Sequence, residues 1–187
     1  NSPHIARLDY SLDPKHSENK LLRQKGESAG FEDITFHEQQ LRFLIIIEAV
    51  PFDSTCYKPV IEEYDEQLNY LESNWADFPL EGENKGIEGL TYLRRNDHDY
   101  VLGLCEGNDC KSGAAGREPG AGRIQVFLKG KDQWDHIGTL ALPRSVQFAD
   151  YASLRVDGQR IAVISQVSSK LWIGKLHPKD LRFVDDG

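Results

Sequence analysis

Acidic residues recur at matched places along this chain. The segments "GFEDITF" (30–36), "GIEGLTY" (86–92) and "FADYASL" (148–154) carry Glu32, Glu88 and Asp150 at their third position. The same segments carry a small hydroxyl, Thr35, Thr91 and Ser153, at their sixth position. A second set closes three β-rich runs: Glu48 in "LRFLIIIEA", Glu106 in "DYVLGLCEG" and Gln166 in "RIAVISQVS". Repeats arranged about one axis bring equivalent side chains together, so all six residues are candidates for lining a central channel. Clustered carboxylates repel one another unless a cation or a basic ligand lies among them. Hard cations such as calcium are bound by carboxylate oxygens. Glu32, Glu88 and Asp150 are therefore the candidate metal ligands. A plainer role competes with this one, in which each acid accepts hydrogen bonds from loop amides and fixes the connection between repeats. Gln166 breaks the acidic pattern of the second set, which reads first as structural, pairing with backbone or arginine of the neighbouring repeat.

The Gly-rich stretch "EGNDCKSGAAGREPGAGR" (106–123) has neither the residue order of a phosphate-cradling loop nor a helix after it. It reads as a flexible connection, or as a lid or partner-binding loop in which Asn108, Asp109, Arg117 and Arg123 are the binding candidates. Arg117 and Arg123 could meet an anionic substrate there. The histidines are scattered, and His37, His98 and His177 fall in expected turns, where exposure is the default. No GxSxG elbow is present. Cys56, Cys105 and Cys110 lack the paired spacing of a zinc site. Cys105 and Cys110 are near enough in sequence to bridge in an oxidising compartment, or to remain thiols in a loop.

The elements that position these residues also repeat. A first strand, a second strand ending in Glu or Gln, a third ("YKPVIEEYD", "GRIQVFLKG", "KLWIGKLHP") and a fourth ("LNYLESNWADFPL", "WDHIGTLALP", "LRFVDDG") recur, with the second-set residues 58 and 60 apart (48 to 106, 106 to 166). That period and content match a β-propeller blade. "HEQQ", "RRNDHD" and "VDGQ" supply turns between first and second strands, "KGKDQ" and "HPKD" between third and fourth. "EEYDEQLNYLESNW" reads as two strands and a turn by its register with the repeat. The expectation is an all-β propeller of four-stranded antiparallel blades: a half blade over 1–29, then blades over 30–80, 86–143 and 148–187. Three and a half blades are part of a larger, six-bladed ring, completed by further chain or another subunit, because closed propellers avoid exposed edges.

Composition bounds the rest. The net charge of −8 disfavours nucleic acid as partner, since phosphate backbones need a basic footprint. The longest apolar run, Phe43–Ile47, is far too short for a bilayer. A chain that starts at Asn1 and has no methionine reads as processed, trimmed or partial, and a secreted or periplasmic setting is slightly favoured.

The pattern "GFEDIT…FLIIIEA", "KGIEGLTYL…YVLGLCEGN" and "RIAVISQVSSKLWIGKL" resembles the phytase-like or esterase-like β-propeller proteins over residues 30–176. The resemblance implies a calcium-dependent hydrolase of phosphate esters, or of carboxylic esters and lactones, with Glu32, Glu88 and Asp150 as the positions to test as cation ligands. The third repeat departs from the family's E-G pattern. A non-catalytic propeller that presents loop 106–123 to a protein or glycan partner is the alternative.

Overall fold

The structure, a computed structural model, describes residues 4–23, 30–82 and 86–184 and is all-β. The first sheet pairs β1 (His4–Arg7) with β2 (Lys20–Arg23). The second is the antiparallel meander β3 (Phe31–His37), β4 (Arg42–Pro51), β5 (Tyr57–Tyr64) and β6 (Tyr70–Trp75). The third repeats that order with β7 (Ile87–Arg95), β8 (His98–Cys105), β9 (Arg123–Lys129) and β10 (Trp134–Ala141). The fourth has three strands, β11 (Ser153–Asp157), β12 (Arg160–Ser165) and β13 (Lys170–Lys175). Two expected four-strand units and the two-stranded start are thus present, although residues 24–29 of the expected half blade lie outside the described residues.

The expected fourth strand of the last unit, "LRFVDDG", is not formed among the described residues. Phe183 makes only an isolated bridge to Leu176, and residues 185–187 lie outside the described set. Only Leu181 and Phe183 of this segment pack on the core, too few apolar side chains to anchor a strand.

Sequence and burial agree strand by strand. The continuous apolar run of β4 is covered on both faces, so Leu44, Ile45, Ile46 and Ile47 are all buried, as a central strand requires. The outermost strands β6 and β13 are mostly exposed. Turn residues take the left-handed backbone that tight hairpins need. Asn96 (φ 48°) and Asp97 (φ 62°) close β7–β8, and Gly158 (φ 58°) opens the β11–β12 turn.

The first strands of the three larger sheets lie side by side, β7 between β3 and β11. The repeated hydroxyls explain how. Thr35 Oγ1 accepts the Tyr92 N–H at 3.0 Å and Thr91 Oγ1 accepts the Val156 N–H at 3.3 Å. Each hydroxyl thus replaces, across the sheet boundary, the backbone acceptor that an inner strand loses. Asp33 adds to this, accepting from Leu90 N at 2.8 Å in the next sheet and from Ser153 Oγ at 3.4 Å in the one after. Two apolar cores fill the wedges between sheets. Leu44, Ile46 and Ile61 meet Ile87, Val101, Phe127 and Trp134 in one, and Leu102, Leu104 and Val126 meet Leu154, Ile161 and Val163 in the other.

Candidate acidic site

Glu32 and Glu88 converge at one end of the inner strands, and Glu48 joins them. One ligand oxygen from each lies within 4.8 Å of the others. The local cause is a set of β-bulges. The β3–β4 register steps from Phe31↔Ile47 to Asp33↔Ile46, leaving Glu32 as the extra residue. The β7–β8 register steps over Glu88 in the same way, from Ile87 to Gly89. Glu48 sits in a third irregularity, between Ile47 and Val50 on the β5 side of β4. A bulge leaves one residue unpaired and re-aims its side chain, and here three bulges aim three acids at one spot.

Glu48 is also anchored, its Oε1 accepting the Gly86 N–H at 2.7 Å. A side chain at position 86 would not fit, because a Cβ there would stand 2.6 Å from the Glu48 carbonyl oxygen. Burial, then the negative charge of Glu48, push the Glu32 carboxyl above its ordinary value, with a hydrogen bond to Glu88 opposing. The donors suit a hard cation. Calcium–oxygen distances of about 2.3–2.6 Å place oxygens on one ion up to roughly 5 Å apart, which these three satisfy. They would supply about half of the six to eight oxygens such an ion takes.

Asp150 does not join them. It precedes β11, in a segment with no bulge, and its carboxylate accepts from Ser165 Oγ and, at 3.1 Å, from Val167 N. The expected trio is corrected: Glu48 stands where Asp150 was expected. Gln166 is exposed in the β12–β13 turn, where its carbonyl accepts the Ser169 N–H at 3.0 Å. Glu106 joins the third sheet to the segment that leads into the fourth through its backbone, donating to Gly86 O at 3.0 Å and accepting from Tyr151 N at 2.9 Å.

Loop 106–123 is a built structure and not a loose connection. Cys105 and Cys110 form a disulfide, while Cys56 is free. Asn108, fully buried, donates to Gly116 O and Phe148 O and accepts from Ala121 N and Tyr151 Oη, at 2.9–3.1 Å. Arg123 is held by Asp109 at 2.6 Å, which leaves Arg117 as the loop's one arginine without an acidic partner among the described residues. Arg117, Glu106, Asp150 and three glycines line a cavity of about 260 Å³. Asn108, Asp109, Arg117 and Arg123 share one Gly-rich loop in the sequence. The role of Asn108 as its hub had no signal, because an asparagine in a Gly-rich loop looks like any turn residue.

At the opposite end of the inner strands, His37 is buried, against the expectation of an exposed turn. It stacks on Tyr92 with ring centroids 4.1 Å apart, and Nε2 lies 3.5 Å from Asp99. Burial holds its pKa below the ordinary value, although Asp99 and Glu63 oppose. For Asp99, burial is outweighed by the Tyr92 hydrogen bond and the charges of His37 and Arg94, and its pKa is lowered. A histidine whose folded pKa is depressed binds its proton more readily when unfolded, so it destabilises as pH falls below about 6.5. Asp99 contributes stability above about pH 4 that is lost as pH falls through its lower folded value. His37→Gln is therefore expected to flatten the stability profile just below pH 6.5, as read by urea unfolding across pH. An unchanged slope there would show that His37 does not titrate with folding.

Comparison of the chain with known protein families and with curated proteins finds no match. The class that fold and site define is an all-β chain of consecutive antiparallel meander sheets with a carboxylate cluster at one end of its adjoining inner strands.

Proposed function

We propose that the chain forms part of a β-propeller, its meander sheets the blades and β3, β7 and β11 the strands lining the axis. In this reading Glu32, Glu48 and Glu88 bind calcium at one mouth of the axis, in a hydrolase of phosphate esters or of carboxylic esters and lactones. The convergence of three bulged carboxylates carries the proposal, and the resemblance to phytase-like and esterase-like propellers agrees with it. A propeller of six blades needs sheets beyond these, from further chain or another subunit. Bound calcium supplies polarisation of a phosphoryl or ester oxygen and orientation of a water. The chain's own part is to hold three oxygens on two sheets, with Glu48 fixed by Gly86 N, and to leave the remaining positions to water and substrate.

A second reading, a non-catalytic module that presents loop 106–123 to a protein or glycan, is favoured by the rigidity that the disulfide and Asn108 impose on that loop. Disulfides of this kind persist in oxidising compartments.

Thermal unfolding in EDTA and in millimolar calcium, together with hydrolysis of p-nitrophenyl phosphate, p-nitrophenyl acetate and a lactone, separates the two. Calcium at 100 times its dissociation constant is expected to stabilise by about 2.7 kcal/mol, and Glu88→Gln to abolish most of that gain. No calcium shift sinks the cation site. A shift without turnover of any substrate leaves the module as the better reading.

A further inference from the structure

The inner strands are bipolar. Their carboxylate end is followed, about 20 Å further along β7 at the usual rise per residue, by Arg94 and Arg95, with Arg155 of β11 beside them. These three arginines line a cavity of about 480 Å³. It opens between the β3–β4 turn, which contributes Glu38 and Gln39, the end of β7, and the end of β11 with its turn, which contribute Asp157 and Gly158.

Arg94 is committed. It bonds Asp99 at 3.1 Å, Asp97 at 3.3 Å and Gln39 at 2.7 Å. Arg95 has no carboxylate partner among the described residues. Its guanidinium donates only to carbonyls, Arg94 O at 3.2 Å and Gly158 O at 2.7 Å, and its buried Nε has no acceptor. Arg155 donates to Thr35 Oγ1 at 3.4 Å, and Asp33 is close enough to feel its charge. Neither Arg95 nor Arg155 forms an ion pair among the described residues. Glu38 and Asp157 are exposed at the turns and form no ion pair with them. In a chain of net charge −8, Arg95 and Arg155 are two guanidiniums without an ion pair among the described residues that line one cavity.

We infer that this arginine-lined cavity binds the phosphoryl group of a small phosphorylated molecule. Two guanidiniums without an ion pair among the described residues match a group carrying close to two negative charges, which a phosphate monoester does near neutral pH and a single carboxylate does not. A guanidinium fork also fits phosphate oxygens bidentately. The cavity falls within the roughly 300–1,000 Å³ of small-molecule sites, so it takes the phosphate together with a small organic body. The assignment is independent of calcium binding, since the carboxylates lie at the other end of the strands.

The test is titration of the whole chain with inorganic phosphate in EDTA, followed by calorimetry and amide chemical shifts at constant ionic strength, with acetate as the monoanion control. Saturable phosphate binding is expected, with acetate at least about tenfold weaker, as one charge-assisted pair in place of two implies. Arg155→Gln, an exposed side chain, is expected to weaken phosphate about tenfold at unchanged unfolding temperature, and Arg155→Lys to recover part of it. Glu88→Gln is expected to leave phosphate binding intact. Absence of saturation, equal affinity for acetate, or wild-type affinity in Arg155→Gln overturns the site. Loss of binding in Glu88→Gln places the phosphate at the carboxylate end and overturns it equally.

Discussion

Truncation of Trp134 to alanine is expected to destabilise the protein by about 3–5 kcal/mol, the usual range for a buried tryptophan, and to lower the unfolding midpoint by roughly 10 °C or more. Trp134 opens β10 and is 1% exposed, among the largest fully buried side chains. It fills the wedge between the second and third sheets, with Ile61 and Ala76 on one side and Phe127 on the other. Its backbone doubles the connection, since Trp134 O accepts the Asp77 N–H at 2.9 Å and pairs in parallel with Ala76. The indole is covered at one end by Lys129, whose Nζ lies 4.9 Å from the ring centroid. Because Nε1 is buried without an acceptor, Trp134→Phe forfeits no protein hydrogen bond and is expected to cost clearly less than the alanine variant. Denaturant unfolding of both variants checks this. A loss below about 1 kcal/mol in Trp134→Ala would mean that the two sheets do not share this core.

The second large effect concerns charge. Glu63 on β5 is 1% exposed. It accepts from Arg42 at 2.8 Å within its own sheet and from Lys129 of the next sheet, while Glu72 stands 3.6 Å from both cations. Removal of Glu63 leaves two cations that are a quarter to a third exposed and can regain water. Removal of both cations leaves a buried carboxylate alone, which is the costly case. Arg42→Met with Lys129→Met is therefore expected to destabilise by about 3–5 kcal/mol at neutral pH. Adding Glu63→Leu to that pair is expected to recover most of the loss, because an apolar replacement of a whole buried ion cluster is commonly near neutral. Since these residues are in contact, the three changes are expected to be strongly non-additive. Additive losses across the series, measured by urea unfolding, would show that the cations do not act through Glu63.

Much of this organisation was legible in the chain itself. Strand alternation, turn residues and hairpin closure are local properties, and the matched segments 30–36, 86–92 and 148–154 carried the recurring acid and the recurring hydroxyl. The hydroxyls turned out to be the better part of that match. Thr35 and Thr91 make the same bond to the next sheet because their position on a regular strand sets their direction. The acids behaved differently because they sit where strands are irregular.

Local pattern along the chain therefore carries the all-β class, the succession of antiparallel meanders and the candidate status of Glu32, Glu88 and Glu48. Tertiary structure decided which of the acids meet. Bulges at Glu32 and Glu88 turn both side chains toward Glu48, whereas Asp150, ahead of a regular strand, is satisfied by Ser165 and Val167. Burial of His37 beneath Tyr92 and the gathering of arginines at the far end likewise depend on side chains brought together across sheets. The physical reason is common to all of them. A repeat specifies direction only while the backbone is periodic, and convergence of charges is set by bulges and by packing between residues distant in sequence.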